Sequence, residues 1–238
     1  MNFPNMKNPI QLKMKSRGFT LIELLVVISI IAVLAAFSIP VLSQLKLAQY
    51  KRVARGELEV IQTALENYKA KYGAYPPANA ASAKLPQLYY ELAGTTFNSA
   101  NNTYTTLDGR YTITTNDVVN GYGVSGFVNA SKGSGDEVSS AKDFLPGLNQ
   151  RQYFYAITND SHVSPGVPTA VLVTSIGGPD PTYMPLGANT TDVNPIRYVY
   201  PGTNSSGSYD LWIKFQFKNK TYLVCNWSRQ IIVNSPLP

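Results

Sequence analysis

The chain has 238 residues, 44% of them hydrophobic and only 14% charged, which is room for one membrane-anchoring element and one moderate domain, with less charge than an ordinary soluble domain. The formal charge is +6, but Lys7, Lys13, Lys15 and Arg17 all precede Gly18 with no acid among them, and without these four the rest carries +2. The basic balance therefore speaks of topology before it speaks of nucleic acid, and a single cysteine, Cys225, excludes an internal disulfide.

Residues 1–18 are polar and basic, with Pro4 and Pro9, and predict no stable structure. Phe19 to Val41 is apolar apart from Thr20, Glu23, Ser29 and Ser38. A bilayer needs about 20 such residues in a helix, and the cations ahead of Gly18 predict that end cytoplasmic and the remainder exported. Three readings fit the segment: a plain transmembrane anchor, a secretory signal peptide with Val33-Leu34-Ala35 as its cleavage site, and a leader cut at Gly18. Glu23 weighs among them. A carboxylate inside an apolar helix costs a few kcal/mol unless it finds a partner, and a subunit that polymerises through this helix can offer one.

Gly18-Phe19-Thr20-Leu21-Ile22-Glu23, with the basic residues ahead of it, resembles the N-terminal motif of type IV pilins and type II secretion pseudopilins. The resemblance implies a membrane-embedded aspartyl peptidase cutting between Gly18 and Phe19, and N-methylation of Phe19 by the same enzyme. It implies that Glu23 attracts the Phe19 amine of a neighbouring subunit, a pairing strong in low dielectric that sets register. Glycine suits the cut because its bare backbone enters a tight site.

Pro40 predicts a kink or local melting of the helix, since a helical pattern resumes beyond it. Leu42 and Leu45 lead in, and Leu58, Ile61, Leu65, Tyr68 and Tyr72 recur at steps of three and four, with charged residues between. This predicts an amphipathic continuation over 42–72 whose apolar stripe packs on the exported domain. Gly73 caps it and Tyr75-Pro76-Pro77 turns the chain away. The run from Tyr68 through Gly73 to Tyr75-Pro76 is similar to the helix end of the major pseudopilin.

The exported domain, 73–238, begins with a short helix expected around Leu85–Leu92. Composition from about 94 to 148 shifts to Gly, Ser, Asn, Thr and Asp. It predicts a long variable loop, with Arg110–Thr115 as a candidate strand. Further on, Thr169–Ile176, Arg197–Tyr200, Tyr209–Phe217, Thr221–Trp227 and Ile231–Val233 read as strands. Within Tyr209–Phe217, Leu211, Ile213, Phe215 and Phe217 share one face, and Trp212, Lys214 and Gln216 the other. Lys218-Asn219-Lys220 reads as the hairpin loop, with Asn219 left-handed. The expected fold is α+β: a long transmembrane-plus-amphipathic helix packed on a small antiparallel sheet, as in type IV pilins.

Pro195-Ile196-Arg197-Tyr198-Val199-Tyr200-Pro201-Gly202 and Tyr209-Asp210-Leu211-Trp212 resemble the C-terminal sheet of the major pseudopilin, where the following loop binds calcium. This chain departs from that pattern: no acid follows Trp212. A hard cation wants several oxygens, so no metal or cofactor is expected, a calcium ion near Asp210 being the one exception considered. Asp180, Asp192 and Asp210 are read as caps of turns.

Enzymatic chemistry is not in evidence. His162, beside Asp160, is a solvated loop residue, and Cys225 is a small buried hydrophobe. One His and one Cys far apart make no metal set and no nucleophile–base pair, and no glycine-rich loop has phosphate-cradle spacing. Tyr198, Tyr200 and Trp212 would stack on bases only if they lay open beside a basic groove.

The resemblance implies a structural subunit of a type II secretion-type pseudopilus, spanning the inner membrane once through 19–41 with its domain periplasmic. Its partners would be further copies in a helical filament, the prepilin peptidase, other pseudopilins and the inner-membrane secretion platform. The alternatives are a type IV pilus or DNA-uptake pilin with a ligand-binding domain, and an exported enzyme or binding protein on an ordinary anchor.

Overall fold

The computed structural model describes residues 18–80, 82–83, 85–131, 140–148, 153–157, 168–176 and 194–234, without the side chains of 36–41, 153–157 and 168–169. All but Gly18 of the leader expected over 1–18, and His162, Asp160, Asp180 and Asp192, lie outside the described residues. The chain divides into two compact units, Met1–Lys46 and Leu47–Pro238. The first helix, α1 (Leu21–Tyr72), supplies residues to both.

In the first unit α1 opens on a reciprocal cap. Glu23 Oε2 accepts from the Thr20 backbone N–H at 2.8 Å and from the Thr20 hydroxyl at 2.7 Å. The Glu23 N–H donates back to Thr20 Oγ1 at 3.3 Å. This is a capping box, which satisfies donors that a helix start otherwise leaves open. The helix therefore begins two residues later than Phe19, where the apolar run starts. Its side chains are exposed, Leu21 at 82% and Leu34 at 62%. Among the described residues no helix is long and apolar enough to cross a membrane. The described side chains of this stretch stop at Ala35, while in sequence the apolar run continues to Val41. α1 includes Pro40, whose side chain lies outside the description.

The second unit is built around the remainder of α1. Ala54, Leu58, Ile61, Ala64, Leu65 and Tyr68 are buried at helical spacing and belong to one core with residues of every sheet. Gly73, at φ +80°, ends the helix by donating its N–H to the Lys69 carbonyl at 2.8 Å. A left-handed residue there is easy only for glycine. α2 (Leu88–Ala93) follows, buried at every position.

The strands are β1 (Thr95–Asn98), β2 (Thr103–Thr106), β3 (Thr112–Thr114), β4 (Ala130–Ser131), β5 (Tyr153–Ile157), β6 (Pro168–Thr174), β7 (Asn194–Pro195), β8 (Arg197–Val199), β9 (Asp210–Phe217), β10 (Lys220–Cys225) and β11 (Ile232–Val233). They form three sheets, ordered β3-β2-β1-β4, β11-β10-β9-β8 and β5-β6-β7. The single small antiparallel sheet expected is thus corrected. The α+β class stands, but there are three sheets, and β1 pairs with β4 in parallel.

The stretch 94–148 is corrected most. Beyond the strand expected near 110–115 it holds β1, β2, β4 and a helix, α3 (Thr115–Tyr122). Its surface is threonine and asparagine, which hides the pattern. A few large residues, Tyr104, Ile113, Val118, Tyr122 and Phe127, anchor it in the core. α3 is capped by Thr114, whose Oγ1 accepts from the Asp117 N–H at 3.1 Å, and ends at Gly123 with φ +68°.

β9 is covered on both faces. Its residues 210–215 are all buried, Trp212 and Lys214 among them. Trp212 packs with Leu223, Cys225, Trp227 and Ile232 in a second small core. The hairpin register pairs Lys220 with Phe217, leaving a two-residue loop in which Lys218, at φ +54°, takes the left-handed position expected of Asn219.

Candidate processing and assembly site

Gly18, Phe19 and Thr20 lie ahead of α1 in non-helical, exposed backbone, with Phe19 81% exposed. A Cβ added at Gly18 would meet nothing within 4 Å, and no positive φ demands glycine there. Among the described residues, neither a close contact nor the backbone conformation requires a glycine at 18. Glu23 is fixed four residues on, at the N-terminal turn, where its negative charge also suits the helix dipole. The capping box was legible as Thr20-Leu21-Ile22-Glu23, an S/T-x-x-E pattern opening an apolar run. Reading Glu23 only as a cost in search of a partner overlooks it.

A set of polar clasps holds α1 to the sheets of its own unit. Arg55 donates to the carbonyls of Cys225 at 3.3 Å and Arg229 at 2.9 Å. Glu57 accepts from the Thr174 hydroxyl, and from the Ser175 N–H and hydroxyl at 3.0 and 2.6 Å. Glu91, on α2 and fully buried, accepts from the Tyr68 hydroxyl and the N–H groups of Val128 and Asn129, each at 2.9 Å. Asn129 Oδ1 takes the Tyr72 hydroxyl at 2.7 Å. Burial pushes the phenols of Tyr68, Tyr198 and Tyr209 well above their ordinary range. The Glu91 charge adds to the effect at Tyr68. None of these long-range partners was visible in the sequence.

The remaining candidates among the described residues serve the fold. Asp210 caps the loop before β9. Its Oδ2 accepts from the N–H groups of Thr203 and Asn204, at 2.8 and 2.7 Å, and from the Asn204 side chain at 2.9 Å. Among the described residues no three His, Cys, Asp or Glu side chains gather where they could hold a metal. Cys225 is buried, and burial pushes its thiol up, away from reactivity. Tyr198 and Trp212 are buried at 0% and 5% exposure, so neither offers a face to a nucleic-acid base. A cleft of about 380 Å³ beside α1 is lined by Val60, Thr63, Ala64, Phe144, Leu145 and Leu148 among others, with no charged group.

The prokaryotic N-terminal methylation motif matches residues 13–39, which brackets Gly18, Phe19 and Glu23. In that segment, with the motif opening a capped apolar helix, the chain is similar to type IV pilin-like proteins, the pilins and pseudopilins. Within that kind, it is similar to the type II secretion system core protein G of Escherichia coli K12, 42% identical over 65 residues. The matched part is 27% of this chain and 45% of that protein, so the chain spans about half the length of that curated relative. No solved structure matches.

Proposed function

We propose that this chain is a structural subunit of a type II secretion-type pseudopilus, made as a precursor, cut between Gly18 and Phe19 and N-methylated on Phe19. The observation that carries the reading is the glycine with no role in its own fold, set in an exposed segment inside the matched methylation motif. The precursor sits in the inner membrane through 19–41, with its N-terminus cytoplasmic and 73–238 periplasmic. The prepilin peptidase trims it, and it then joins other copies and other pseudopilins on the secretion platform. The similarity to core protein G favours this system over a type IV pilus. The burial of Tyr198 and Trp212, with only Tyr200 of the three candidate stacking rings partly exposed, weighs against a base-stacking surface. Both comparisons point to a structural subunit rather than an enzyme.

Gly18→Leu tests the reading directly. Because a side chain at 18 meets nothing, the domain should fold with an unchanged circular dichroism spectrum and melting temperature. The protein should nonetheless keep its leader on a gel alongside wild type. Normal trimming of that variant would contradict the proposal.

A further inference from the structure

Charge is unevenly spread in the second unit. From Leu47 to Gly56 there are three cations, Lys51, Arg52 and Arg55, and no acid. From Leu211 to Pro238 there are four, Lys214, Lys218, Lys220 and Arg229, and again no acid. The fold puts these two acid-free stretches against each other. The Tyr50 ring meets Phe215 and Phe217 edge-on, both at 5.9 Å. Lys51 Nζ sits 5.2 Å from the centre of the Tyr222 ring, and Arg55 reaches the carbonyls of Cys225 and Arg229. Tyr222 pairs with Phe215 and Lys220 with Phe217 across the hairpin. Lys218, Lys220 and Arg229 are exposed, while Lys214 is buried and belongs to the core.

We propose that this face, made of Lys51, Lys218, Lys220 and Arg229 around Tyr50 and Phe217, lies on anionic phospholipid headgroups beside the chain's own membrane anchor. The proposal rests on the reading of 19–41 as that anchor. Lys51 is ten residues past Val41, so at any conformation it stays within about 36 Å of the end of the apolar run. Tethering at that range gives a high effective lipid concentration, so weak contacts suffice. Half-buried aromatic rings among cations are what the headgroup layer favours. The cations beyond Val41 also oppose the bias that the four before Gly18 impose on topology. The Tyr50 and Phe217 rings pack on each other, so the face is suited to phosphate and not to base stacking.

The test uses the full-length chain with a fluorophore on Asn219→Cys at the exposed hairpin tip. Cys225 is fully buried and does not compete for the label. The protein is reconstituted into phosphatidylcholine vesicles with or without phosphatidylglycerol, each holding the same fraction of headgroup-nitroxide lipid. Quenching should be several-fold stronger in the anionic vesicles and be lost in 1 M salt, where screening acts within about 3 Å. Lys218→Glu and Lys220→Glu should each weaken it about fivefold, with the circular dichroism spectrum unchanged. Equal quenching in both vesicle types overturns the lipid assignment while leaving the anchor intact. Displacement of the quenching by duplex DNA, or salt-sensitive energy transfer between labels in neutral vesicles, overturns it in favour of nucleic acid or a second copy. Failure to float with either vesicle type overturns the anchor, and this proposal with it.

Discussion

Glu23 has two claims on one carboxylate. Within the chain it closes the capping box with Thr20, and in a filament it would pair with a neighbour's Phe19 amine. Glutamine at this position keeps the cap, because either residue serves a capping box, but it loses the charge. Glu23→Gln should therefore be trimmed and folded as wild type yet give as little filament as Glu23→Ala, measured by shearing and sedimentation. Full assembly of the glutamine variant would mean that the cap alone is the role. Glu91 is the other decisive residue. Replacing it with Ala strands two buried donors, the Tyr68 hydroxyl and the Asn129 N–H, at about 1–3 kcal/mol each, so urea titration should show a loss of about 2 kcal/mol or more. The buried phenols of Tyr68, Tyr198 and Tyr209 hold their protons more tightly in the folded chain. Their contribution is complete below the ordinary tyrosine value of about 10 and shrinks above it, as the unfolded chain ionises first. The melting temperature should accordingly fall as pH rises beyond about 10, and Tyr198→Phe should blunt that fall. At this scale Gly73 and the Thr20–Glu23 pattern were legible because both are local. Glu91 was not, because its partners lie 23 to 38 residues away.

The second half of α1 was legible as an element, since its stripe repeats at helical spacing over several turns. Leu58→Ala or Leu65→Ala removes a fully buried side chain from that stripe and should cost about 2–5 kcal/mol in the same titration. A loss under 1 kcal/mol would mean that this face is not the seat of the core. The strands of the C-terminal hairpin were legible from alternation. What covers the Trp212 side of β9 was not, because Trp227 and Ile232 lie outside the strand's own pattern. The stretch 94–148 was illegible for a different reason. Strands such as Thr95–Asn98 and Thr103–Thr106 show no two-residue period of apolar residues. They are held by cross-strand threonine contacts, such as Thr105 with Thr112 at 3.0 Å, and by single aromatic anchors such as Tyr104.

For the whole molecule, the division is between a first unit that holds most of the matched methylation motif and a second that supplies a clasped α+β domain. The unevenness of charge follows the same division. Four cations precede Gly18, and the rest of the chain is nearly balanced in total but basic on the face built from 47–56 and 211–238. Both groups stand in the sequence, where no acid follows Trp212, but that the cations of 47–56 and 211–238 share a face follows only from Tyr50 and Lys51 packing on the hairpin. The central claim is that Gly18 exists for an enzyme and not for the fold. Intact-mass and N-terminal peptide mass spectrometry of the membrane-extracted protein, expressed with a prepilin peptidase, tests it most directly. The account predicts a mature chain beginning at Phe19 with a single added methyl group on its amine. A chain that begins at Met1, or at Ala36, would contradict it.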